Sequence, residues 1–559
     1  MTDTAGGLGW LRRYRRPQLA GDLSAGVVVA MMMIPQAMAY AMVAGLPLET
    51  GIYASILPPL LYALFGSSMT QSVGPMAIIS LMTAAALGPL AAAGSGLYSV
   101  LAAQLALLSG VVLLACGLLR IGFLANFFSR PVMSGFTIGS AIVIAWDQLP
   151  ALAGAALPWG HMPAVHLPSV LLGAGSLLVL LAAKAWLAGC LRSLGVKPGA
   201  ADIAVRLAPM AVVAGATLLA AWFDLAAAGV KTTGAVPAGL PDLNLAVSNP
   251  HWRSLLQPAL LIGFMIFLIS MSAAQTLALK RQEKLHSNLE LIGLGAANIG
   301  SALSGGYPVT GSMSRSAVNF AAGANTPLAS VITALLLALA LVAPTGWLAL
   351  VPLPALAATI IVAVLGMLEL ATLRTALRYD RADALALTST AGGVLALGVE
   401  AGVVTGVVLS MGTLIWRASR PHIAVLGRIA GTEHFRNIER YPGETAAGLL
   451  LLRIDAGLFF GNVEAVNGRI EEELAAHSAT RHLVLVLSAV NAIDTSALFG
   501  LSELNTLLRQ RAIKMHLAEV KGPVLDRLKT SDLLSTLGGK VFLSTAMAWD
   551  ELSANHDSA

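Results

Sequence analysis

Apolar runs long enough to cross a lipid bilayer follow one another along most of this chain, and no other feature limits its fold so strongly. A spanning helix needs about 20 predominantly apolar residues. In hydrocarbon every backbone polar group must find its partner inside the protein, which leaves helices and closed barrels as the only spanning structures. With Gly, Pro and charged residues taken as boundaries, the runs predict spans at 22–44, 49–66, 75–91, 95–119, 131–153, 166–191 and 203–223. A second series follows at 254–279, 288–305, 312–322, 326–345, 350–369, 382–398 and 401–416. About 14 elements result, the shorter ones tilted or broken. Only 11% of the 559 residues are charged, against about a quarter in a soluble domain, so most of the chain faces lipid. Cys116 and Cys190 lie in or beside apolar runs and give neither a disulfide framework nor metal-ligand spacing.

Basic residues cluster in alternate loops, as the positive-inside rule requires. Arg12 to Arg16, Arg120 with Arg130, Arg192 with Lys197 and Arg206, Lys280 with Arg281 and Lys284, Arg374 with Arg378 and Arg381, and Arg417 with Arg420 all fall on one side. The opposite loops carry only Lys231 and Arg253. Both termini are therefore expected in the cytoplasm, and the net charge of +5 reads as topology rather than nucleic-acid binding. Residues 1–21 form a basic cytoplasmic segment, because the run from Leu23 to Gly45 is too long for a signal-peptide core.

Two elements are short and interrupted by Gly and Pro. The third opens at Ser72-Val73-Gly74-Pro75, and the tenth at Tyr307-Pro308-Val309-Thr310-Gly311-Ser312. A matched pair of broken segments, each third in its series, points to an inverted-repeat transporter with its site between them. A half-helix starting near Gly311 or Ser312 turns its free N–H groups and partial positive charge inward, which suits an anion. Ser312 and Ser314 add hydroxyl donors, and Arg315 adds a full charge at a depth where charges are functional by default. The competing reading has Arg315 snorkelling to the surface or pairing with a carbonyl for packing alone. Gly74-Pro75 is expected to place proline in the first turn of the facing helix, next to Met76. On the first span, Gln36 and Tyr40 are four apart and share a helix face; Gln36 serves equally well as interhelical glue. The acidic residues expected inside the apolar part are Asp147, Glu369 and Glu400, with none on the first, third, eighth or tenth elements.

From Ala446 the composition changes. Strands are expected at Gly448 to Ile454, His482 to Leu487 and Lys514 to Glu519, with amphipathic helices at Val463 to Ala476 and Ser496 to Arg511. Alternating strands and helices over 446–559 predict a small α/β domain after a transmembrane domain at 22–420 and a linker at 421–445. No Walker loop or paired Cys/His spacing occurs, so neither an enzyme activity nor a cofactor or metal is expected.

These motifs resemble the SulP sulfate-permease family, the bacterial relatives of the animal solute-carrier anion exchangers. Ile34-Pro35-Gln36-Ala37-Met38-Ala39-Tyr40 with Ala44-Gly45-Leu46-Pro47 is similar to the family's first-span motif, and Gly51-Ile52-Tyr53-Ala54-Ser55 to its second-span signature. Ser72-Val73-Gly74-Pro75 resembles the third, Thr310-Gly311-Ser312-Met313-Ser314-Arg315 the tenth, and Ala418 to Arg428 the junction after the last span. Ile493-Asp494-Thr495-Ser496-Ala497-Leu498 resembles the core of a STAS domain. The resemblance implies a 7+7 inverted repeat of core and gate domains, usually a homodimer, in a bacterial inner membrane. It implies secondary active transport of sulfate or a related small inorganic anion, held near Gln36, Tyr40, Met76, Ser314 and Arg315. Bicarbonate or dicarboxylate transport, channel-like conduction and a mainly signalling role stand as alternatives. In the STAS domain, Thr495 and Ser496 occupy the loop phosphorylated in anti-sigma-factor antagonists, and a cytoplasmic protein partner is implied; Ser496 reads equally as a helix N-cap. Two departures stand out: Ile269 occupies the place of an eighth-span glutamate, and Met69 that of a second-span basic residue. The first leaves ion coupling through the eighth span without a carboxylate.

Overall fold

The computed structural model describes residues 9–123, 129–154, 166–234, 239–241, 252–342, 345–368 and 370–554. Two compact units divide the chain, Met1–Ser410 and Met411–Ala559. The first is helical: α1 Gly9–Arg13, α2 Gln18–Val43, α3 Leu48–Tyr53, α4 Leu57–Phe65, α5 Ala77–Leu87, α6 Gly96–Leu118, α7 Arg130–Asp147, α8 Leu149–Ala153, α9 Leu167–Ala182, α10 Ala188–Ser193 and α11 Pro198–Trp222. Its second series comprises α12 Trp252–Arg281, α13 Ser287–Leu303, α14 Met313–Ala321, α15 Leu328–Val342, α16 Leu353–Leu365, α17 Leu370–Tyr379, α18 Arg381–Leu397 and α19 Val399–Ser419, the last running into the second unit. Two-residue strands β1 Val73–Gly74 and β2 Thr310–Gly311 precede α5 and α14. Each of the fourteen windows read from the sequence contains a helix, and among the described residues eight helices are long and apolar enough to cross a membrane.

Apolarity is turned outward as well as inward. Leu171, Leu178, Leu218, Trp222, Leu335 and Leu339 are exposed, whereas Asp22, Gln104, Glu290, Asn298, Arg315 and Asn319 are buried. That is the distribution lipid selects, since polar side chains there are cheapest inside the bundle. Glycine lets the inner helices meet backbone to backbone. A Cβ at Gly110 of α6 would stand 2.9 Å from the Gly295 carbonyl of α13, and one at Gly51 would collide with the Ala37 carbonyl of α2.

The acidic residues depart from expectation. Asp22 lies inside α2, fully buried, and its Oδ1 accepts from the N–H groups of Asn325 (2.6 Å) and Thr326 (2.9 Å), securing the turn before α15. Glu290, in the first turn of α13, is also fully buried. Both sit at the edge of their apolar windows, where a charge reads as interfacial. Glu369 lies outside the described residues.

The second unit carries a six-stranded sheet of order β4-β3-β5-β6-β7-β8, built from β3 Ile423–Arg428, β4 Phe435–Asn437, β5 Leu449–Ile454, β6 His482–Val486, β7 Lys514–Ala518 and β8 Val541–Phe542. Strands β5 to β8 are parallel, as expected of βαβ connections through α20 Val463–Ala476, α21 Thr495–Gln510 and α22 Gly522–Leu528, while β3 pairs antiparallel with β5 and β4. Helices α23 Leu533–Thr536 and α24 Thr545–Ala554 complete it. The segment 421–445, expected as a linker, therefore belongs to the sheet. Its charged residues mask two short strands; β3 keeps Ala424 and Leu426 buried at alternate positions.

His516 on β7 is 3% exposed. Its Nδ1 accepts from the Lys540 N–H (3.0 Å), so the neutral ring carries its hydrogen on Nε2, 3.0 Å from Nδ1 of His482. Burial, then the charges of His482 and Lys514, lower its pKa from 6.5 to about 4. Between those values the unfolded chain holds the extra proton, so stability is lost as pH falls through that window. The full effect is roughly 3 kcal/mol at 1.36 kcal/mol per pH unit. His516→Gln is expected to flatten the loss of thermal stability of this unit between pH 6.5 and 4. Identical pH profiles for variant and wild type would contradict it.

Candidate anion-binding site

The two interrupted segments meet. β1 and β2 pair antiparallel, Val73 opposite Gly311 and Gly74 opposite Thr310. Because the strands run in opposite directions and each leads into a helix, α5 and α14 leave the ribbon in opposite senses with their N-termini beside it. Side chains satisfy the unwound backbone around the ribbon. Ser72 N–H donates to Ser316 Oγ (2.9 Å), and its carbonyl accepts from Ser312 N–H (3.0 Å). Asn298 of α13 holds Val309 through both its carbonyl (3.0 Å) and its N–H (2.9 Å), and Thr310 Oγ1 donates to the Ile266 carbonyl of α12 (3.0 Å). Gly311 is required by crowding: a Cβ there would run into the Gln71 amide and stand 2.6 Å from Ser270 Oγ.

Each half-helix presents free N–H groups at its start, since the first turn has no acceptors of its own. In α14 the Ser312 hydroxyl caps the end, accepting from Arg315 N–H (3.4 Å). Helix α5 begins at Ala77 with Met76 as N-cap. Pro75 thus precedes the helix instead of occupying its first turn; its carbonyl is needed elsewhere, as the acceptor for Arg315 Nη1 (2.6 Å).

Arg315 is 1% exposed and belongs to the interior, not the surface. Beyond the bond to Pro75, its Nε and Nη2 are buried with no hydrogen-bond partner among the described residues. Tyr40 of α2 and Tyr307 lie within electrostatic range of the guanidinium, and a Cβ at Gly74 would stand 3.5 Å from Nη2. A buried cation with two unused donors is costly unless something fills them.

Of the residues singled out in the sequence, Tyr40, Gly74, Pro75 and Arg315 form this cluster, with Met76 and Ser312 as the caps of its two helices. Gln36 is half-buried and Ser314 is exposed on the first turn of α14; neither side chain hydrogen-bonds to another described residue. Sequence reasoning missed Tyr307, Asn298, Ser316, Gln71 and Ser270. For Asn298, Ser316 and Ser270 the available signal was a polar residue within an apolar window, while Gln71 and Tyr307 lie between windows; their partners are up to 259 positions away, as in the bond from Ser330 to the Gln71 carbonyl. In the C-terminal unit, Thr495 opens α21, and Asp494 rather than Ser496 is its N-cap, with Oδ1 accepting from Ala497 N–H (2.8 Å). Thr495 and Ser496 are exposed.

Crossed half-helices around a buried arginine, in a bundle apolar on its outside, define a multi-pass membrane transporter. The profile of the sulfate permease family matches residues 19–390, and that of the STAS domain matches residues 440–548. A probable sulfate transporter of Mycobacterium tuberculosis (strain H37Rv) is 35% identical over 96% of this chain and 97% of its own length. The chloroplastic sulfate transporter 4.1 of Arabidopsis thaliana is also 35% identical, over 95% of this chain and 80% of its own. This chain belongs to the sulfate permease family. Murine solute carrier 26 family member A9, an anion transporter solved in the inward-facing state, shares the fold with TM-score 0.86 and 21% identity over 98% of this chain and 93% of that one. The transmembrane domain of the cyanobacterial bicarbonate transporter BicA matches with TM-score 0.58 and 21% identity over 70% of this chain and 98% of that one.

Ser316→Ala removes the acceptor of the buried Ser72 N–H, at a cost of about 1–3 kcal/mol. The purified variant is expected to melt at a lower temperature, and Ser316→Thr to recover part of the loss. An unchanged melting temperature would strike this bond from the ties that hold the ribbon.

Proposed function

We propose that this chain is a secondary carrier that moves sulfate by alternating access, the anion lying at the N-termini of α5 and α14 against Arg315. The observation that carries the reading is the buried guanidinium with Nε and Nη2 unpartnered among the described residues. Two helix ends contribute about half a charge each, and Arg315 adds one. The sum of about +2 balances a sulfate dianion and repels cations. The open Ser314 hydroxyl and the N–H groups of Ala77 and Met313 supply the neutral donors, while Gln36 and Tyr40 close the site from α2. The sulfate transporters among the relatives support the choice of anion. Third place for the ribbon strand in each helix series supports a 7+7 inverted repeat, core moving against gate. A homodimer in a bacterial inner membrane with both termini cytoplasmic, and a STAS domain regulated through Thr495 and Ser496 or a protein partner, complete the reading.

Labelled sulfate uptake into liposomes containing the purified chain tests it. Arg315→Ala is expected to reduce uptake about 10- to 100-fold, the equivalent of a charged hydrogen bond of about 1.5–3 kcal/mol. Ser314→Ala is expected to cost no more than about tenfold. Uptake unchanged by Arg315→Ala removes the site, and bicarbonate outcompeting sulfate would reassign the substrate.

A further inference from the structure

Glu290 takes no part in the anion site, yet it is fully buried and hydrogen-bonded through both oxygens. Gly293 brings it there: a Cβ at that position would stand 2.6 Å from Gly66 Cα, so α13 lies directly against the loop that follows α4. Glu290 Oε1 accepts from Ser67 N–H (3.0 Å), Ser67 Oγ (2.6 Å) and Ser68 N–H (3.0 Å). Its Oε2 lies 2.7 Å from the Tyr62 hydroxyl, which lies 2.7 Å from Gln71 Oε1. The Gln71 amide nitrogen donates onward to the Ser270 carbonyl (3.1 Å) and to Ser270 Oγ.

These contacts require one more hydrogen than an ionised cluster contains. A phenol has a single O–H, and here it stands between two acceptors. Turning the Gln71 amide over would set its oxygen against the Ser270 carbonyl, acceptor to acceptor, so the amide keeps its orientation. The Tyr62 hydrogen then goes to Gln71, and the short contact with Oε2 needs a hydrogen on the carboxyl group. We propose that Glu290 carries a proton in this conformation and is the proton-binding site of the carrier, its proton travelling in the same direction as the anion. The proposal rests on the carrier reading above.

Among the described residues no cation pairs with the carboxyl group. Tyr62 is the only ionisable residue in the sequence of α4 and Glu290 the only one in that of α13; α6 brings Tyr98 and Cys116. Helix α12 carries Arg253, Lys280 and Arg281 near its ends, and the turn after it Glu283, Lys284 and His286. Arg281 is bound to Glu283 (2.7 Å) and to the carbonyls of Ala324 and Asn325. His286 donates its backbone N–H to Ser67 Oγ (3.3 Å), while its ring Nε2 is buried without a partner among the described residues. With sulfate at Arg315 and the two helix ends counted, a protonated Glu290 leaves the site about neutral, and an ionised one leaves it at about −1. Low dielectric favours carrying the smaller charge.

Release is a simple proton loss: Glu290 Oε2–H gives a carboxylate and a proton to whichever aqueous phase the site faces. Tyr62 must then turn its hydrogen to Oε2, and Gln71 Oε1 loses its donor. Gln71 precedes Ser72, which is bonded to both Ser312 and Ser316, and the Gln71 amide occupies the space that a Cβ on Gly311 would need. The proton is thus felt at the N-terminus of α14.

The full chain in liposomes, with labelled sulfate, provides the test. At one proton per anion, each pH unit of gradient (acid outside) is expected to raise accumulation about tenfold, ~1.4 kcal/mol. Glu290→Gln mimics the acid form, so tracer exchange at equal pH persists while the response to the gradient is lost. Where that variant does not assemble, Tyr62→Phe cuts the link to Gln71 and is expected to blunt the same response. Wild-type accumulation indifferent to the gradient, or a variant responding like wild type, overturns the proposal. Absence of all sulfate uptake would instead indict the carrier reading. Infrared spectra then decide: a carboxylic-acid carbonyl band present in wild type and missing from Glu290→Gln supports the proton, and no such band overturns it.

Discussion

Everything in the membrane-spanning unit depends on two stretches of backbone that pair with each other instead of with themselves. Away from water, an unwound segment is tolerated only if its N–H and C=O groups are met elsewhere. β1 and β2 meet one another over two residue pairs, and Asn298, Thr310 and Ser316 satisfy what remains nearby. Helix ends left free by that arrangement carry partial positive charge, and the same ribbon fixes Arg315 through the Pro75 carbonyl. On the reading proposed above, binding chemistry and fold are one problem, solved by the same few hydrogen bonds.

Architecture was readable from the sequence because lipid enforces it: apolar length gives helices, and Gly-Pro interruptions mark where helices stop. Arg315 was readable for the same reason, since a charge inside an apolar window has few bland explanations. What escaped was decided by distant partners. Glu290 and Asp22 lie at window edges, and only the approach of α13 to Gly66, or of Asn325 to α2, shows that they are interior. Proline at position 75 looked like a helix start because its ring suits one; the structure needs its carbonyl more. Thr495 and Ser496, expected in a loop, lie in the first turn of α21, and the helix is capped by Asp494, whose carboxylate also accepts from Phe460 N–H (2.9 Å).

The C-terminal unit follows ordinary soluble rules, with parallel strands buried between helices and edge charges outside. Misreading 421–445 as a linker has a physical origin. Antiparallel edge strands can be short and half polar, so β3 and β4 lack the continuous apolar run that makes β5 and β6 conspicuous.

One strand of the ribbon comes from each half of the transporter unit, which ties the inheritance of the two halves together. Residues 71–76 and 309–316 share carbonyls, a hydroxyl and a glycine that leaves no room for a methyl group. A chimera that imports one of these stretches from a relative without the other would put at risk the side-chain ties, from Ser72 N–H to Ser316 Oγ and from Arg315 to the Pro75 carbonyl, and the fit of Gln71 against Gly311. Variation tolerated elsewhere in the bundle should here be tolerated only in pairs, and engineered selectivity would have to be drafted on both strands at once.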